Sequence, residues 1–181
     1  MAWTDYYKTV EEQLASLLAG ELEDGSVIPF AVGGHSVVKE VTLSLDTNAY
    51  ASGDVLAATQ EVASALRLSG GSGILHSMVV LDKDDQGEAL DVVFLNANGS
   101  IGTENAAVSV SDAVADTIIG VVEVAAGDFV DLANSQIACK SSLGIVLKVA
   151  SGTSLYVAAI SRGTGTYTAA GITLKVGIIQ D

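Results

Sequence analysis

From Val37 onward, short runs of Val, Ile, Leu and Ala alternate with small clusters of Gly, Ser, Thr, Asn and Asp, and no amphipathic helix separates them. This punctuation constrains the fold more than any motif does. Apolar, β-branched runs bounded by turn formers read as strands. A parallel pair needs a crossover of a dozen or more residues, usually a helix, so the strands pair antiparallel. The runs are Val37–Leu45, with Val37, Val41, Leu43 and Leu45 on one face, then Val55–Ala58, Ile74–Leu81, Leu90–Leu95, Ile118–Val124 and Phe129–Leu132. Ile137–Lys140, Ile145–Val149, Leu155–Ile160 and Ile172–Ile179 follow, separated by SSLG, SGTS and RGTGTYTAAG. Val27–Phe30 adds a short lead-in strand. Glu61–Leu68 is ambiguous between strand and helical turn; the SGGSG that follows favours a strand. Glu104–Asp116 has little period and reads as an extended crossover with a short helix near Asp112. Strands at this density predict an all-β, antiparallel β-sandwich, a jelly roll of about eight strands.

Ile74–Leu95 is the clearest pair. Two apolar runs flank the charged Asp82–Glu88, which predicts a β-hairpin with a solvated turn. The core must be built from aliphatic side chains, because hydrophobic residues are 49% of the chain and aromatics only 5%.

The exception to the strand pattern lies at the start. Thr4–Gly20 predicts an N-terminal α-helix, with Thr4 as N-cap, Asp5 in the first turn and Gly20 as the stop. Tyr7, Val10, Leu14 and Leu17 form its apolar stripe, widened by Leu18. Two heptads are too short to hold a coiled coil, so the stripe docks on the chain's own sheet or on a neighbouring subunit. Trp3 beside it is costly to expose unless something covers it. Trp3, Tyr7, Val10, Leu14 and Leu17 are therefore the candidate interface. Residues 1–25 form the helix and its acidic linker, and residues 26–181 form the β-sandwich.

The formal net charge is -14, from eight Lys+Arg against 22 Asp+Glu. Nucleic acid requires a cationic footprint and is excluded as a partner. An anionic membrane surface is a poor partner for the same reason. The acidity serves solubility or complements a basic partner surface. Cys139 is the single cysteine, so no intramolecular disulfide forms; its apolar run IACK predicts a buried, inert thiol. MAWTDYYK lacks the basic and apolar regions of a secretory signal, and no run reaches the roughly 20 apolar residues of a membrane-spanning helix. A soluble intracellular product, or one packaged into something assembled inside the cell, follows as the expectation.

No catalytic constellation emerges. Asp82, Asp84 and Gly87 echo a calcium loop, but Gln86 occupies a ligand position and Val93 the place of the distal acid. The two histidines, His35 and His76, have no metal-ligand spacing. There is no G-x-S-x-G elbow, and Ser69–Gly73 lacks the Lys-Ser/Thr of a phosphate loop. With Trp3 as the only tryptophan, a sugar-stacking groove has no platform. The expectation is a chain that is not an enzyme, with no cofactor and no metal.

GSGILHSMVVLDKDDQGEALDVVFLNAN and GIVLKVASGTSLYVAAISRGTGTYTAAGITLKVGIIQD resemble small phage and prophage virion structural proteins of the head decoration, or capsid cement, type. The features carrying the resemblance are the strand after Ser-Gly-Gly-Ser-Gly, the DKDDQ turn, the LDVVFL strand ending in Asn, and a terminal strand after a Thr/Tyr/Gly-rich loop. It spans Tyr50 to Asp181 and leaves out the N-terminal helix. It implies a homo-oligomer, often a trimer, that binds the major capsid protein on the outer face of the shell, and hence synthesis in the host cytoplasm and a location in the virion. A tail, baseplate or fibre-associated β-sandwich is the alternative placement, and a carbohydrate-binding jelly roll the alternative of another class.

Overall fold

The computed structural model describes residues 35–181; the predicted helix, the strand Val27–Phe30 and all five candidate interface residues lie outside the described residues. Nine strands are described: β1 (His35–Thr42), β2 (Val55–Val62), β3 (Ser72–Asp82), β4 (Leu90–Leu95), β5 (Ile118–Val124), β6 (Phe129–Asp131), β7 (Gln136–Lys148), β8 (Leu155–Ser161) and β9 (Ile172–Gln180). A one-turn helix α1, Asp112–Ala115, sits where the sequence places it. The strands form a five-stranded sheet, β1-β9-β3-β7-β6, and a four-stranded sheet, β2-β8-β4-β5.

Setting aside the three-residue β6, the pairs are nested: β1 with β9, β2 with β8, β3 with β7, and β4 with β5. This is one long antiparallel hairpin of eight strands, wrapped so that β3 also meets β9 and β4 also meets β8. The wrap is a jelly roll, and the predicted fold class holds.

The predicted hairpin Ile74–Leu95 does not form. β3 pairs with β7 and β9, whereas β4 pairs with β5 and β8, in the other sheet. Residues 83–89 bridge the sandwich, which sequence-adjacent strands do when each finds a better partner far along the chain. The two strands predicted at Ile137–Lys140 and Ile145–Val149 are one strand, β7. Its SSLG insert is a bulge rather than a turn: Ser142 (φ 58) and Gly144 (φ 67) adopt left-handed conformations and the ladder to β3 resumes. The strand predicted over Glu61–Leu68 ends at Val62; Ser64 turns left-handed (φ 52), leaving Leu66 buried and Leu68 exposed.

Inward-facing side chains from both sheets make the main core, among them Leu43, Leu75, Met78, Val80, Phe94, Leu147, Leu174 and Val176. Aliphatic strand residues alternating with outward ones produce this directly. Gly120 pairs with Phe94, and a Cβ there would sit 2.9 Å from the Ile145 side chain. The glycine lets β7 close over one corner of the sandwich. Tyr50 and Tyr167 form an aromatic pair at a loop-rich part of the core, with ring centroids 6.1 Å apart and planes tilted by 58°.

The Tyr50 hydroxyl accepts from the Asp46 backbone N–H (2.7 Å) and donates to the Leu56 carbonyl (3.0 Å). Burial pushes its pKa from 10.0 to about 12, and burial also pushes Tyr167 up. The folded state favours the neutral phenols. Their contribution is intact below about pH 10, where free tyrosine begins to ionise, and is lost as pH rises through the folded value near 12. Urea midpoints measured between pH 8 and 12 should fall steeply above pH 10, and Tyr50→Phe should make that fall shallower.

Candidate assembly surface

The sandwich has two outer faces, and the chain treats them differently. Over the four-stranded sheet it lays its own β4–β5 connection, residues 96–117. Val93 and Leu95 of β4, Ala158 and Ile160 of β8 and Val55 of β2 form a second core cluster with Ile101, against which Val108, Val110 and Val114 pack. Backbone hydrogen bonds hold the cover down: Val55 N–H donates to the Ala106 carbonyl (2.8 Å), and Asn105 N–H to the Val55 carbonyl (2.9 Å). Thr59 Oγ1 donates to the Gly99 carbonyl. All six residues of β4 are consequently buried, and the strand shows no alternation. Tyr156 packs half-buried against this cluster.

Over the five-stranded sheet, no described segment plays that part. The ladder aligns Ile74 with Val146 on one side and Ile179 on the other, a three-strand aliphatic row. All three are exposed: 42% for Ile74, 68% for Val146 and 38% for Ile179. Together they floor a shallow depression of about 370 Å³, with Ser72 and Asp181 at its rim. Leu81 aligns with Ile137, and Ile137 with Val130, forming a second apolar row across β3, β7 and β6. Between the rows, Val79 lies beside Lys175 and Cys139. On the β1 side, Glu40 forms an ion pair with Lys175 (3.5 Å), Thr42 meets Thr173 (3.3 Å), and Val38 stands 69% exposed.

Cys139 is thus exposed on this outer face, not buried as predicted. Its run IACK alternates: Ala138 takes the core side and leaves the thiol outside. His35 lies on β1 and His76 on β3, with β9 between them, so the histidines stand two strands apart. Among the described residues, no group of three or more His, Cys, Asp or Glu is arranged to hold a metal ion.

The acidic turn is a structural knot. Asp82 is buried, and its carboxylate accepts backbone N–H groups from Asp84 (2.9 Å), Gln86 (2.9 Å) and Gly87 (2.8 Å). Asp84 accepts from Thr168 N–H (2.7 Å) and from its hydroxyl (3.0 Å). Gln86 Oε1 accepts from Thr166 N–H (3.2 Å). The turn thereby ties the β3–β4 bridge to the β8–β9 loop. It is not the freely solvated turn the sequence suggests, because its carboxylates replace water as acceptors for loop backbone groups. Gly87 (φ 61) supplies the left-handed residue this cradle requires.

Two charge pairs complete the surface. Arg162 Nη2 lies 2.7 Å from Asp91 Oδ2, across from Glu123, the cross-strand neighbour of Asp91. Lys140 lies 2.5 Å from Asp128 and holds that half-buried carboxyl below its ordinary range.

No protein-family model matches this sequence, and no curated protein matches it. Among solved structures, the chain is similar to the VP2 subviral particle of infectious bursal disease virus, at 15% identity over 89% of this chain and 37% of that one, with a TM-score of 0.40. It is similar to the Gt strain of the same virus at 13% identity, over 87% of this chain and 35% of that one, with a TM-score of 0.35. It is also similar to desmodium yellow mottle tymovirus at 14% identity, over 84% and 85% of the two chains, with a TM-score of 0.27. The chain therefore spans little more than a third of the bursal disease virus chains, at 37% and 35%.

Proposed function

We propose that this chain is a non-enzymatic virion structural protein of the head decoration, or cement, type. It works as a homo-oligomer, a trimer, bound to the major capsid protein on the outside of the shell. The observation that carries this reading is the inequality of the two outer faces: one sheet is covered by the chain's own connection except at its β5 edge, where Val121 is exposed, and the other presents aliphatic rows across three strands. A contiguous apolar surface of that kind marks a site of association. The family resemblance of Tyr50–Asp181 supports the same role. The strong negative charge suits a shell protein that must stay soluble before assembly and meet a basic partner surface. Repetition then gives strength: linked modules on a lattice gain about 10²–10⁴ in avidity without any new contact.

Co-sedimentation with purified heads and purified tails of the parent virus tests the placement. Pelleting with heads at a fixed ratio to the major capsid protein supports the proposal; pelleting with tails alone moves the chain to the tail or baseplate. The interface predicted at Trp3, Tyr7, Val10, Leu14 and Leu17 has its own test. Deleting residues 1–20 should lower head binding or oligomer mass, and a deletion that changes neither removes those residues from the proposal.

A further inference from the structure

We infer that the outer face of the five-stranded sheet is a two-fold contact between copies of this chain, packed sheet against sheet. This contact rests on the assembling role proposed above, but it is a property of the isolated protein and separable from head binding.

Charge selects the occupant. The protein is strongly acidic, so most approaches of one copy to another bring like charges together. This face is the exception. Of its described acids, Glu40 is paired with Lys175 and Asp181 lies at the rim against Ser72, while the Ile179–Ile74–Val146 row between them carries no charge. A second copy offers the same neutral, aliphatic rows, and an isologous contact requires only one self-complementary patch.

The dimensions agree. Four strands, β1, β9, β3 and β7, about 4.8 Å apart and overlapping for eight to nine residues at roughly 3.3 Å each, with the three residues of β6 beside them, give about 600 Å² of sheet plane per copy. Two such faces come to about 1,200 Å², the lower bound for a specific, stable interface. The side chains that would interdigitate are those that close a sandwich core when two sheets meet inside one chain.

Light scattering on the full chain gives the test. The mass should be an even multiple of the 18.4 kDa chain: a dimer from this contact alone, or a hexamer if the proposed trimer also forms. Val146→Glu and, independently, Ile179→Glu should halve it. Both side chains point outward, so circular dichroism should be unchanged. Cys139 on the same face supplies a second readout: its reaction with a maleimide should be slower in the wild type than in Val146→Glu. A monomeric or odd-numbered wild-type mass, or a mass and thiol reactivity that neither substitution alters, overturns the contact. Head binding by a wild-type monomer would leave the decoration role standing while removing the two-fold face.

Discussion

Asp82→Ala should lower the unfolding free energy by about 3–5 kcal/mol. The carboxylate is buried and accepts three backbone N–H groups at 2.8–2.9 Å. Hydrogen bonds to a charged acceptor contribute about 1.5–3 kcal/mol each, less than additively when they share one group, and their donors would be left in a site with little water. Asp82→Asn should fall between the two, at about 2 kcal/mol, because one amide oxygen can still accept while the amide NH₂ faces a donor. Urea unfolding measures both. A loss below about 1 kcal/mol for Asp82→Ala would mean the turn is solvated after all. Because the turn also holds the β8–β9 loop through Asp84 and Gln86, Asp82→Ala should raise hydrogen exchange at Thr166 and Thr168 before the core opens.

The second large effect belongs to Phe94. It is among the largest fully buried side chains, it points into the main core from β4, and it lies between Gly120 and Val157 in the ladder. Phe94→Ala should cost about 3–5 kcal/mol through lost transfer energy and the cavity left behind. Gly120 has no side chain with which to fill the space. Phe94→Leu should cost about 1–1.5 kcal/mol, since the volume is largely kept. If both variants lose the same amount, the core around Phe94 is looser than described.

Strand positions were legible in the sequence because each aliphatic run is bounded by turn formers. Leu90–Leu95 and Ile118–Val124 coincide with β4 and β5. Pairing was not legible. Between Leu81 and Leu90 the sequence shows a turn, but seven residues, 83–89, also suffice to cross the roughly 10 Å between packed sheets, and only distant partners decide between these. One signal did exist: LDVVFL lacks alternation, the mark of a strand covered on both faces, and it argued against a two-stranded hairpin with a wet side. The cover over β4 was half visible, as Ile101, Val108, Val110 and Val114 scattered through a loop of mostly small and polar residues. The exposed row was hidden for a different reason. Ile74, Val146 and Ile179 look like core residues in sequence, and only the register, which a one-residue slip would invert, puts them outside. The bulge in β7 belongs to the same class, because SSLG spells a turn until Ser142 and Gly144 turn left-handed within a continuing ladder.

Electron cryo-microscopy of the intact parent virion tests the central claim most directly. The account predicts density for the β1-β9-β3-β7-β6 and β2-β8-β4-β5 sandwich on the outer face of the head, repeated at symmetric joints between capsomers. Density for this sandwich confined to the tail, or absent from the particle, would contradict it.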